Sequence, residues 1–275
     1  MKNSLPFSVS MCVYGGDNPE HFSDALCSVF NQTVSPDEVI LVVDGPISKD
    51  TNSVIEAFSS KYSQLEVIRL SENQGHGIAR SIGLEHCSNT IVAIADADDI
   101  NAQTRFEEEI KEFKANEKLS IVGSNVEFFV DSLDNIVTAS VFPSDHNEIC
   151  TYIKKNCPFA QPSVMFNKEH IIAAGGYVDW FQCEDYYLWI RVFENNGIFK
   201  NIDKTLVYMR TSEEQSQRRG GYEYYKSLRD LYKYMKRRGI INLLQYILNV
   251  LPRFILQVVM PNKMRYMVRN ILMKF

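Results

Sequence analysis

Three carboxylates, Asp96, Asp98 and Asp99, fall within four residues directly after the apolar run IVAIA. Like charges packed this closely repel one another unless a cation stands among them. An all-oxygen set without histidine suits Mg²⁺ or Mn²⁺, ions that commonly bridge phosphates. The competing reading is an acidic turn in which Asp99 or Asn101 caps a helix; the position at the end of an apolar strand favours the metal. A second acidic pair, Glu184-Asp185, lies in FQCEDYYLWIRVF, where Tyr187, Leu188, Arg191 and Val192 follow at helical spacing. Both carboxylates therefore sit at a helix N-terminus, either as caps or as a general base able to take a hydroxyl proton.

The elements that must position these groups alternate in period. FSVSMCVY, EVILVV, LEVIRL and IVAIA read as strands, and the unbroken apolar runs are those of strands covered on both faces. Between them Asp17-Asn18-Pro19 starts a helix, residues 51–62 form a second, and Gly77–Cys87 a third. Strand and helix in this rhythm predict a largely parallel sheet flanked by helices. Ligands bind outside the carboxyl ends of such strands, where Asp44, Asn73, Gly75, Gly77 and the Asp96–Asp99 run all fall. Beyond residue 100 the pattern predicts helices over 101–116, 167–175 and 184–196 and strands over 119–130, 136–142 and 198–209. Gly75 and Gly77 precede Arg80 and no Lys-Ser or Lys-Thr, which excludes a phosphate-binding P-loop.

The 275 residues suffice for a large core without staples. Six cysteines without a C-x-x-C pair read as reduced thiols of a cytosolic protein, and no secretory signal opens the chain. The net charge of −5 is unevenly spread: from Leu231 onward there are nine Lys or Arg and no Asp or Glu. The acidic body makes nucleic acid an unsuitable partner. In residues 240–259, Asn242, Gln245, Asn249, Arg253 and Gln257 recur at steps of three or four along an otherwise apolar stretch interrupted by Pro252. This predicts a helix lying on an anionic membrane surface in preference to one that spans it; the alternative is a helix packed on the protein's own body or on a second subunit.

Five segments in order resemble the family 2 glycosyltransferases, enzymes with the A-type nucleotide-sugar-binding α/β fold. They are FSVSMCVYGGDNPEHFSDALCSVFNQT, EVILVVDG, NQGHGIARSIGL, IADADD and CEDYYLWIRV, and the likeness spans roughly residues 7 to 211. Cys12, Ser81 and Gln161 stand where many members carry Pro, Asn and His. DADD, QPSVMF, AAGGY, EDYYLW and the basic apolar tail further resemble bacterial O-antigen and exopolysaccharide transferases, some of them β-1,3-galactosyltransferases. Those extend a sugar on a lipid diphosphate at the cytoplasmic face of the inner membrane.

The resemblance implies an inverting transfer from a nucleotide sugar, a UDP-hexose such as UDP-galactose, with Mn²⁺ or Mg²⁺. Asp185 matches the base, with Glu184 as the alternative. Asp98 and Asp99 serve metal and ribose, Asp96 adjoining, and Asp44 contacts the uracil. Tyr14, an aromatic ring at a strand end, suits stacking on the base, the alternative being a half-buried surface Tyr; Asn73 follows strand LEVIRL on the same rim. Arg80 reaches either the diphosphate or an aspartate of the DADD run. Arg218 and Arg219 close over the donor, receive the lipid diphosphate, or are simply solvated. Residues 1–221 are expected to form the catalytic unit, nucleotide-binding to about residue 100 and acceptor-binding beyond, with 222–275 a basic amphipathic helical tail. Oligomeric state is open. Two other classes stand beside this: a nucleotidyltransferase, disfavoured because VYGGDNPEHF after the first strand has no Lys or Arg, and a non-catalytic scaffold, disfavoured by the intact carboxylates.

Overall fold

The computed structural model describes residues 5–211 and 221–260. The first half alternates β1 (Phe7–Tyr14), α1 (Pro19–Phe30), β2 (Glu38–Asp44), α2 (Lys49–Lys61), β3 (Leu65–Arg69), α3 (His76–His86) and β4 (Ile91–Ala95). β1 pairs in parallel with both β2 and β4, and β2 with β3. The Asn18 side chain accepts from the backbone N–H groups of Glu20 and His21, and Pro19 opens the helix, so the expected start of α1 is built as read.

β2 shows why its run is apolar throughout. Val39, Leu41 and Val43 enter the core packed against α1 and α2, while Ile40 and Val42 enter a second core on the opposite face, against α3. Two glycines permit the close approaches that shape the ligand rim. A Cβ on Gly83 would stand 2.5 Å from the Ser10 hydroxyl, so its absence seats α3 on β1. Gly45 has φ +83° and a backbone that would collide with Asn73 if it carried a Cβ, so the turn after β2 lies flat against the loop after β3.

The second half is mixed. It runs β5 (Ile100–Asn101), α4 (Arg105–Ala115), β6 (Leu119–Phe129), β7 (Ile136–Ser140), α5 (His146–Tyr152), β8 (Met165–Asn167), α6 (Lys168–Ala173), α7 (Glu184–Glu194) and β9 (Ile198–Arg210). β8 runs antiparallel to both β4 and β6, joining the halves into one sheet ordered β3-β2-β1-β4-β8-β6-β9-β5, with β7 beside β6. The parallel expectation therefore holds for β1 to β4 and for β6 with β9, and gives way where short strands fill the middle. Trp189 of α7, fully buried, sits near Phe159 and Phe166 in the second core.

Two helices follow, α8 (Tyr222–Arg237) and α9 (Leu243–Phe254), the latter continuing as a π-helical turn at Ile255–Val259. Composition turns basic at α8, but packing continues across that change: Leu231, Tyr232 and Met235 are fully buried in the second core. α9 opens with a capping box between Asn242 and Gln245. Its polar stripe faces the protein. Asn249, 7% exposed, donates to the Lys154 carbonyl, and Arg253 donates to the Lys155 carbonyl and to Asn156 Oδ1. Leu244, Leu248 and Val259 point outward, at 64%, 61% and 61% exposure. The polar stripe is therefore the docking face, and the apolar face is the free one.

Candidate active site

The strand order reverses between β1 and β4, the switch point at which open α/β sheets bind ligands. A cleft of about 350 Å³ opens there, lined by Tyr14 at the end of β1, Asp44 at the end of β2, Asn73 and Gly75 before α3, and Asp96 and Asp98 after β4. A larger cleft of about 750 Å³ adjoins it, sharing His76, Asp96 and Asp98 and adding Asp99, Glu184 and Asp185. The strand-end acids and the α7 acids, 85 or more residues apart in the chain, thus meet on one rim.

Asp44 is nearly buried and accepts the backbone N–H groups of Gln74 and Gly75, while Asn73 donates to the Asp44 carbonyl. The residue read as a uracil contact also fixes the loop that forms the pocket wall. Tyr14 is exposed at the mouth. Of the two partners expected for Arg80, the structure shows the aspartate: at 1% exposure its guanidinium pairs with Asp96 and donates to the Ser10 and Ala95 carbonyls, and so holds the carboxylate run. Arg218 and Arg219 lie outside the described residues.

Asp99 is buried, and its Oδ1 accepts the backbone N–H of Arg210, whose Nε donates to the Asp98 carbonyl. Burial, then the charges of Asp98 and Asp96, push its carboxyl well above the usual range. Asp17 is raised to about 6 by burial, with Asp98 and Asp96 adding to it against the hydrogen bond from Tyr14 N. A divalent cation relieves this mutual repulsion, and the hard oxygen donors of Asp98 and Asp99 fit one. Among the described residues no group of three or more His, Cys, Asp or Glu is gathered to hold a metal by itself.

Glu184 and Asp185 occupy the first turn of α7 as expected. Asp185 Oδ1 accepts the Tyr186 N–H, and Glu184 Oε1 lies 3.0 Å from His76 Nδ1. Arg80 Nε donates to His76 Nε2, so that nitrogen is an acceptor and Nδ1 carries the proton toward Glu184. A side-chain series Asp96–Arg80–His76–Glu184 thereby ties the DADD run to α7. His76, Asp17, Arg210 and Arg253 also line or support the two clefts, and none of them is a site residue of the sequence motifs. Asp17 was within reach, being one more acid beyond a strand end; the others depend on tertiary contacts.

A profile described as "Glycosyl transferase family 2" matches residues 8–173. An Escherichia coli protein named UDP-Gal:alpha-D-GlcNAc-diphosphoundecaprenol beta-1,3-galactosyltransferase is 34% identical over 276 residues, covering 100% of both chains. The chain belongs to glycosyltransferase family 2. The amylovoran biosynthesis glycosyltransferase AmsE of Erwinia amylovora is 31% identical over 239 residues, 86% of this chain and 88% of that one. Among solved structures, S. aureus TarS 1-349 in complex with UDP-GlcNAc superposes with a TM-score of 0.68 at 16% identity, over 91% of this chain and 73% of that one. The mannosyltransferase PcManGT of Pyrobaculum calidifontis, in complex with GDP-Man and Mn2+, gives 0.66 at 14%, over 93% and 71%. These likenesses fix the A-type fold, and the family makes the chain a hexosyltransferase.

Proposed function

We propose that this glycosyltransferase moves galactose from UDP-galactose, with inversion, onto a sugar carried by a lipid diphosphate, in assembly of a bacterial O-antigen or exopolysaccharide. The observation that carries the reading is the full-length 34% identity to the E. coli galactosyltransferase. The cleft geometry supports it. Tyr14, Asp44 and Asn73 are placed to frame the base and Asp96 and Asp98 the ribose and diphosphate, while Asp98 and Asp99 would hold Mn²⁺ or Mg²⁺, which would supply positive charge for the departing diphosphate. Asp185 takes the proton of the acceptor hydroxyl as that oxygen attacks the anomeric carbon from the face opposite UDP. Glu184, hydrogen-bonded to His76, orients the first turn of α7. Residues 1–221 carry this chemistry, and 222–275 adapt it to the membrane.

The enzyme works peripherally, at the cytoplasmic face of the inner membrane. No described helix is long and apolar enough to cross a bilayer. The outward apolar face of α9, with Lys233, Lys236 and Arg237 exposed on neighbouring α8, suits the surface of an anionic bilayer. The test is the product. UDP-α-galactose and N-acetylglucosamine diphosphate linked to a lipid should give a β-1,3-linked disaccharide, read from the anomeric proton coupling and linkage correlations by NMR. An α-linked product, or no transfer to that acceptor, contradicts the reading.

A further inference from the structure

The larger cleft carries its charges unevenly. Three of its carboxylates have cationic or polar partners: Asp96 with Arg80, Asp99 with the backbone N–H of Arg210, and Glu184 with His76. Two further arginines line it: Arg210, whose guanidinium pairs with Asp24, and Arg253, which α9 places in the same wall as Asn156 and Tyr232. Arg253 meets neutral groups only. Its guanidinium donates to the carbonyls of Asn249 and Lys155 and to Asn156 Oδ1, and lies 5.0 Å from the Tyr232 ring centre. Burial pushes the Tyr232 phenol up to about 12, so that ring supplies no anion either. Among the described residues no Asp or Glu stands within ion-pair distance of this half-buried arginine.

We propose that Arg253 is the acceptor-side anion site: it binds the diphosphate that links the acceptor sugar to its lipid. This rests on the lipid-diphosphate reading above and adds the residue that recognises it. A diphosphate is repelled from the Asp96–Asp99 and Glu184–Asp185 region, and among the described residues of the cleft it finds a guanidinium without a carboxylate partner only at α9. The guanidinium fork, fixed by three neutral acceptors, matches phosphate oxygens. The position also fits the chain's relation to lipid. Arg253 lies on the inner side of α9, whose outer side is the apolar face, and a helix with its side chains is about 10–12 Å across. Lipid chains at the outer face and a diphosphate at the inner face are thus one helix apart. With the diphosphate there, the sugar extends along the cleft toward Asp185.

The experiment compares two acceptors carrying the same sugar: a short-chain alkyl diphosphate ester and an alkyl glycoside without phosphate. Initial rates are measured with the full-length protein. Wild type should show a lower KM for the diphosphate. Arg253→Gln should raise that KM by about ten- to a hundredfold, the scale of a lost charge-assisted contact. Its kcat, donor KM and glycoside KM should stay unchanged. Arg253→Lys, which keeps the charge but not the fork, should fall between, and carries the test if the Gln variant does not fold. Asn249→Ala, which loosens the same helix without removing charge, should keep the wild-type preference. Retention of the diphosphate preference by both Arg253 variants overturns the proposal. So does loss of vesicle binding in Arg253→Gln with acceptor KM unchanged, which assigns the arginine to bulk lipid headgroups. A wild-type enzyme without any preference for the diphosphate instead refutes the acceptor reading, and this assignment with it.

Discussion

At the scale of residues, the proposed division of labour gives Glu184 to positioning and Asp185 to proton transfer. Glu184 is hydrogen-bonded to His76, and Asp185 lines the larger cleft from the helix start, its Oδ1 accepting the Tyr186 N–H. Asp185→Asn should therefore lower kcat by about two to four orders of magnitude, the range of a lost general base. UDP affinity by calorimetry should be unchanged. Glu184→Gln should cost far less, since an amide still accepts from His76 Nδ1; the reverse ranking of the two variants assigns the base to Glu184. The acids were legible in the sequence because carboxylates at strand and helix ends are a local pattern. The role of Arg80 was only half legible, because its spacing allowed a ligand or an aspartate, and its pairing with Asp96 and the Ser10 and Ala95 carbonyls depends on tertiary packing. Arg210 was not legible at all: its contact with Asp99 closes a separation of 111 residues through the pairing of β9 with β5 and β6.

At the scale of elements, long periodic segments were readable and short ones were not. β1 to β4 and α1 to α3 lie where alternation and capping put them, whereas β5, β8 and α5 span two, three and seven residues and are stabilised by tertiary pairing alone. α4 shows a second limit. Its Arg105 and Glu109 look like an exposed i,i+4 pair in sequence but are both fully buried, with Arg105 also reaching the Val164 carbonyl and Asn101. Burial raises the Glu109 carboxyl to about 7, against the opposing pull of Arg105. Because the folded protein holds this proton more tightly than the unfolded chain, the contribution of Glu109 to stability falls as pH rises from about 4.5 to about 7. Thermal melts of wild type and Glu109→Gln across that window should show the variant losing this pH-dependent fall. A stability difference between the two that is flat with pH contradicts the buried carboxyl. Arg105→Ala, which strands the carboxylate, should destabilise by about 3–5 kcal/mol.

At the scale of the whole molecule, two adjoining clefts at the strand ends and a helix with its apolar face outward suit the proposed enzyme, which takes a soluble donor and a lipid-borne acceptor. The tail was readable as amphipathic, but its orientation was not, because a polar stripe serves equally well to meet water or to dock on backbone carbonyls. Leu244→Glu with Leu248→Glu should abolish sedimentation with anionic vesicles and leave transfer to a water-soluble acceptor intact, since both side chains are exposed. Full vesicle binding by that variant means that α9 is not the membrane contact. The central claim, that this family 2 chain is a metal-dependent galactosyltransferase acting on a lipid diphosphate, is tested most directly by UDP release. Purified protein is assayed across nucleotide sugars, with and without N-acetylglucosamine diphosphate lipid, and with Mn²⁺ or excess chelator. The expected result is UDP release from UDP-galactose that requires both the lipid acceptor and the divalent ion. Release that is indifferent to chelator, or confined to another nucleotide sugar, contradicts it.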